Sequence, residues 1–139
     1  MFWIGEEHSK IIIKNKIKIK AATVGCGRMG AFPSVTSKYL PSNWYPISHL
    51  ESLSCNTDVV IVGAVDNSDI VRENVKKKYD ISTYEDLDSL FKNGQVDLLT
   101  VATRTPSKYG IIKAAYDRGV RLFHVEKPLC NSMEELEKL

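Results

Sequence analysis

The stretch "ATVGCGRMGAF" (residues 22–32) decides how this chain is read. Gly25, Gly27 and Gly30 stand in the spacing G-x-G-x-x-G, directly after "IKIKAATVG" (17–25), whose small and apolar end suits a buried parallel strand. Three glycines alone are a weak signal. Between a strand and a helix they form the turn that cradles a dinucleotide pyrophosphate. Gly25 permits the tight turn, Gly27 lets backbone approach the phosphates, and Gly30 lets the helix pack closely on the strand. The free N–H groups and the positive dipole end of the helix attract anions. Cys26, Arg28 and Met29 complete the turn, so residues 25–30 are all candidate cofactor contacts. The plain alternative is a glycine-rich turn without a ligand.

Outward from the turn, strand and helix patterns alternate. "DVVIVGAVD" (58–66), "DLLTVAT" (97–103) and "VRLFHVE" (120–126) read as strands, with a weak short one at 80–83. Residues 68–79 read as a helix with Ile70, Val71 and Val75 on one face and Tyr79 following. Residues 83–94 open with Thr83 three before Asp86, close to a capping box, and close at Gly94. Residues 105–119 have Thr105 at the N-cap, Pro106 at the first helical position and Gly119 past the end. Residues 131–139 start a helix with Ser132 and Glu135. The alternation predicts an α/β fold, a doubly wound parallel sheet of Rossmann type with helices on both faces.

Asp66 closes the second strand, where a carboxylate accepts hydrogen bonds from the adenosine ribose hydroxyls. Asn67 follows, not Arg or Lys, so NAD is expected, with NADP disfavoured. Asp66 could instead cap the next helix. From Gly30 to Asp66 is 36 residues, against the usual gap of about 20. The excess falls in 31–53, where Pro33, Pro41 and Pro46 forbid a continuous helix. We expect an inserted loop at 32–46 and a helix resuming over 47–53. Trp44 and Tyr45 are expected to pin the loop to the body, or else to cover the cofactor or substrate mouth. His49 is expected to cap or pack the end of the resumed helix, and His124 to sit in the core or else to point toward the cofactor.

The chain has 139 residues, 43% hydrophobic and 26% charged, with a net charge of +2, which gives no argument for nucleic acid. The lysine runs at 14–20 and 76–78 read as solvated element ends. Cys26, Cys55 and Cys130 form no C-x-x-C or Cys/His spacing, so no metal site is expected and the protein reads as reduced and intracellular. Residues 1–16 read as a leader but not a signal peptide, since two glutamates and several lysines interrupt it. No run approaches the roughly 20 apolar residues that span a membrane, and a cytoplasmic location is expected. Residues 17–139 read as one dinucleotide-binding domain. Its last helix is short, which suggests the front part of a longer protein.

A second motif adds to this. "HVEKPL" (124–129), together with "VGCGRMG", "VVIVGAVD", "STYEDLDSLFKNGQVDLLTVAT" and "AAYDRGV", resembles the Gfo/Idh/MocA oxidoreductases over about residues 16–139. The resemblance implies a Rossmann domain followed by a second α/β domain that carries much of the substrate pocket and the oligomer interface, and is absent here. It implies a homo-oligomeric parent, a monomeric fragment, and a sugar, cyclitol or polyol substrate. Lys127 would be the catalytic lysine of Glu-Lys-Pro, moving a proton at the substrate hydroxyl as hydride moves. Glu126 would lie beside the nicotinamide or orient Lys127. Backbone at Thr103 and Arg104 would touch the cofactor. The chain departs from the family at "ATRTPSKYG" (102–110): Arg104 replaces a proline, and the family's histidine falls near Lys108 or Tyr109. Two other functions stay open: a nucleotide-binding module without turnover of its own, and transient oxidation of a sugar in the service of glycosidic cleavage.

Overall fold

The computed structural model describes residues 17–34 and 39–139; the expected leader lies outside the described residues. Among these residues five strands make one sheet: β1 (Ile19–Val24), β2 (Val59–Val65), β3 (Thr83–Tyr84), β4 (Leu98–Val101) and β5 (Leu122–Val125). Their order is β3-β2-β1-β4-β5 and every pairing is parallel. This is the doubly wound arrangement, with its switch point between β1 and β4. Ala21, Ala22, Thr23 and Val24 of the central strand are all buried, which small side chains allow under helices on both faces.

Among the described residues five α-helices flank the sheet: α1 (His49–Ser54), α2 (Asp69–Tyr79), α3 (Leu87–Lys92), α4 (Thr105–Asp117) and α5 (Met133–Glu137). One core layer joins Leu90 of α3 and Ala115 of α4 to Val24, Val65, Leu99 and Val101. The other joins Leu50 of α1 and Val75 of α2 to Ala64, Cys26 and Ala31. Each large side chain so buried contributes about 1.5–3 kcal/mol.

Several local expectations are corrected. Thr83 does not cap α3; it pairs in β3 opposite Ala64, and Asp86 is the cap, accepting from Ser89 N at 2.7 Å. Arg104, not Thr105, holds the N-cap position of α4, and no side chain caps it. Ile70 is 74% exposed, so the buried stripe of α2 runs through Val71, Val75 and Tyr79. β5 is an edge strand with one uncovered face, which leaves His124 exposed rather than in the core.

The insertion has a simple geometry. After the glycines the chain makes one turn, in which Ala31 N and Phe32 N donate to Gly27 O at 2.9 and 3.0 Å. It then leaves, and returns at Ser48, which caps α1 in a reciprocal box with Glu51. His49 N donates to Met29 O at 2.8 Å and Leu50 N to Gly30 O at 2.9 Å. In an unbroken α-helix positions 33 and 34 would make those two bonds. His49 therefore stands in place of position 33, an offset of 16, and 36 less 16 restores the ordinary gap of about 20 between glycines and acid. The next carbonyl, Ala31 O, accepts from the Tyr79 hydroxyl at 2.7 Å and from Lys78 Nζ at 3.3 Å. The carbonyls of Met29, Gly30 and Ala31 are thus satisfied where the helix is interrupted. The excursion holds a 3-10 turn at Ser42–Trp44 and a cis Tyr45–Pro46 bond. Trp44 is 62% and Tyr45 44% exposed, so burial of these rings does not pin the loop.

Candidate dinucleotide site

Because all strands run parallel, their carboxyl ends share one edge of the sheet. That edge gathers residues 25–30 after β1, Asp66 and Asn67 after β2, Thr103 and Arg104 after β4, and Glu126 and Lys127 after β5. A cleft of about 580 Å³ opens there. Gly25, Gly27, Asp66, Asn67, Thr103 and Arg104 line it. Glu85 and Asp86 line it too, although the sequence reading did not mark them as cofactor contacts. Cys26, Arg28, Met29, Gly30, Glu126 and Lys127 do not line this cleft.

The glycines have separable duties. Gly25 has φ +83°, and a Cβ there would lie 2.9 Å from Ala102 C and Thr103 N. A Cβ on Gly30 would lie 1.8 Å from Gly25 O, so only glycine lets the turn close on itself. A Cβ on Gly27 would meet nothing within 4 Å: this position faces open space in the cleft. The N–H groups of residues 27–30 donate to no group among the described residues. This is a cradle that a side chain would fill and an anion would suit, so the residues present fit a dinucleotide. The hydroxyl of Thr103, on the cleft wall, is also without a partner among the described residues.

Asp66 ties this turn to β2. Its Oδ2 accepts from Cys26 N at 2.8 Å and its Oδ1 from Ser68 N at 3.0 Å. Ser68, not Asp66, caps α2. The Cys26 amide therefore points at the carboxylate. Its thiol lies in the core, pushed up to about 12 by burial and then by the Asp66 charge. Beside Asp66, Arg72 is already committed to the Asp66 carbonyl, at 2.7 Å, and to the Asp69 carboxylate.

At the far strand, Lys127 is exposed and Glu126 half-buried. Glu126 Oε1 lies 3.1 Å from His49 Nε2. His49 is at the first position of α1 and buried, with the His124 ring 4.8 Å away edge-on; it packs at the start of that helix, and Ser48 is the cap. Burial holds His49 below the usual imidazole range, while the Glu126 hydrogen bond pulls the other way. Lys108 is 1% exposed, and its ammonium donates to Glu126 O and to Pro128 O, the latter at 2.8 Å. Burial lowers its pKa and Glu126 opposes that. The bond between Lys127 and Pro128 is cis. Sequence reading missed both partners of Glu126.

Among the described residues no helix is long and apolar enough to cross a membrane, and no group of three metal-ligating side chains occurs. A glycine turn after β1, an acid after β2 and an open cleft at the switch point define a dinucleotide-binding Rossmann domain. The chain belongs to the Gfo/Idh/MocA oxidoreductases: residues 19–139 match the family model for the NAD-binding Rossmann fold. No curated protein shows significant similarity to it. Among solved structures it is similar to the WlbA dehydrogenase from Bordetella pertussis, in complex with NADH and UDP-GlcNAcA, at 18% identity and a TM-score of 0.68. It is also similar to a dehydrogenase from Chromobacterium violaceum, at 24% and 0.65, and to a myo-inositol dehydrogenase from Corynebacterium glutamicum ATCC 13032, at 17% and 0.66. Each match covers 87% of this chain but only 31% of the other.

Proposed function

We propose that this domain binds NAD in preference to NADP and serves hydride transfer between nicotinamide and a CH–OH carbon of a sugar, cyclitol or polyol-like substrate. The observation that carries the reading is the open face at Gly27 set beside Asp66. Gly25, Gly27 and the free amides after them would hold the pyrophosphate, and Thr103 and Arg104 would close the other wall. Asp66 would take the ribose hydroxyls. Glu85 and Asp86 line the cleft on the Asp66 side, where Asp66 N bonds Tyr84 O at 3.1 Å. Three carboxylates there oppose a 2′-phosphate, and Arg72 is bound to Asp69.

When bound, the nicotinamide supplies the hydride acceptor or donor. Lys127 would hold and move the proton at its Nζ, since it stands exposed on the same carboxyl edge, two residues past β5. Glu126 would orient it. Calorimetric titration of the full chain with NAD and NADP tests the reading. NAD is expected to bind at least about tenfold tighter, a difference of about 1.4 kcal/mol. Equal affinities, or tighter NADP, overturn the preference; absence of binding overturns the site.

A further inference from the structure

We propose that Lys108 is a positioning residue: its buried ammonium holds the Glu126–Pro128 turn by the backbone and thereby sets where Lys127 stands. The inference rests on the reading of Lys127 as the proton-handling group.

The placement of Lys108 is costly on its own terms. It lies in the first turn of α4, where the helix dipole presents its positive end and disfavours a cation. It is 1% exposed, so the ammonium has left water, and an apolar side chain of similar length would fill the space without that penalty. What the ammonium finds instead is specific. Both of its acceptors are carbonyls of one turn, Glu126 O and Pro128 O, on either side of Lys127.

That turn needs such a restraint. Glu126 N donates to Val101 O at 2.9 Å, the last bond the chain makes to the sheet. Among the described residues, backbone groups of 127–131 make no further backbone–backbone bond. Lys108 therefore supplies from α4 what the ladder no longer does. From the opposite side His49 grips the Glu126 carboxylate at 3.1 Å. One clamp acts on carbonyls and the other on a side chain, and Lys127 lies between two gripped neighbours while its own side chain stays exposed.

The test compares the wild-type full chain with Lys108→Met and Lys108→Arg by hydrogen exchange and by competitive acetylation of lysines with acetic anhydride over a pH series. In Lys108→Met, the Glu126 amide, which bonds Val101 O and is read in a peptide spanning 124–131, is expected to exchange about tenfold faster or more, with β1 and β4 unchanged, because opening is local. The acetylation profile of Lys127 is expected to shift while that of exposed Lys113 does not. Lys108→Arg, which keeps a cation able to reach carbonyls, is expected to restore most of both. Uniform acceleration across all strands, or an unchanged Glu126 amide with an unchanged Lys127 profile, overturns the proposal. If Lys108→Met does not fold, Lys108→Gln, which is shorter and uncharged and cannot hold both carbonyls, is compared instead, and failure to speed the Glu126 amide overturns the clamp. The role of Lys127 fails separately, when Lys127→Met keeps hydride transfer on a panel of sugars and polyols.

Discussion

One substitution, glycine to alanine, should have three different outcomes at the three positions of the turn. At Gly27 the new methyl group meets no atom within 4 Å and the backbone needs no positive φ. The fold should then gain about 0.4–1 kcal/mol from the stiffer unfolded chain. The same methyl stands where the pyrophosphate would approach, so NAD affinity should fall about tenfold or more, at least about 1.4 kcal/mol. At Gly25, φ of +83° alone costs an L-residue about 1–2 kcal/mol, and contacts of 2.9 Å to the Ala102–Thr103 backbone add to it. At Gly30 the methyl would sit 1.8 Å from a backbone oxygen, which no side-chain movement relieves. The turn must open there, placing the loss in the rare class above about 4 kcal/mol. For a domain whose total stability is about 5–15 kcal/mol, Gly30→Ala approaches unfolding. Urea unfolding and NAD titration on the three variants give the test. The reasoning is refuted if Gly27→Ala is destabilised as much as Gly30→Ala, or keeps wild-type affinity for NAD.

Further outcomes are expected elsewhere. Cys26, 1% exposed and pushed up to about 12, should resist iodoacetamide in the folded chain while exposed Cys55 reacts; mass spectrometry of the labelled peptides checks this. His49, held below the usual range by burial, binds its proton less readily folded than unfolded. Its contribution is therefore complete above the unfolded imidazole pKa of about 6.5 and lost as pH falls, at no more than about 1.4 kcal/mol per pH unit. His49→Gln should flatten that part of the stability–pH curve. Excising 33–48, so that Phe32 runs into His49, should leave a chain that folds with the same sheet, because His49 N and Leu50 N already bond Met29 O and Gly30 O. A molten or unfolded product by circular dichroism and exchange would refute the splice.

What was legible in the sequence is what depends on neighbours along the chain. The apolar runs marked β1, β2, β4 and β5, and the glycine spacing marked the turn, since both are local patterns read against a fixed period. Three prolines showed that a helix could not cross 31–53. They could not show that it resumes in register, because that register is set by two hydrogen bonds between residues 20 apart, His49 to Met29 and Leu50 to Gly30. Element starts slipped where two local signals competed. Thr83 offers a cap, yet its backbone is drawn into β3 beside Ala64, and the cap passes to Asp86. Lys108 and His49 were out of reach for another reason. Their partners are 18 and 77 residues away, and nothing in a lysine on a helix or a lone histidine says that it will be buried.

Asp66 shows why a motif residue is hard to test by deletion. Each of its oxygens already accepts one backbone amide, at 2.8 and 3.0 Å, and has a second lone pair left for a ribose hydroxyl. Asp66→Ala would leave Cys26 N–H and Ser68 N–H without acceptors, at about 1–3 kcal/mol each, and would loosen the glycine turn itself. Lost NAD binding in that variant would not separate contact from collapse. Asp66→Asn is sharper, since it removes the charge and keeps one acceptor. Two unit charges 4 Å apart repel by about 1 kcal/mol in water and about 4 kcal/mol at an effective dielectric of 20. The ratio of NAD to NADP affinity should therefore fall by about fivefold or more, even if both affinities weaken. Calorimetry with both cofactors reads that ratio. Should both fall together and the ratio hold, Asp66 acts through the fold alone, and the preference for NAD must come from Glu85 and Asp86 on the same wall.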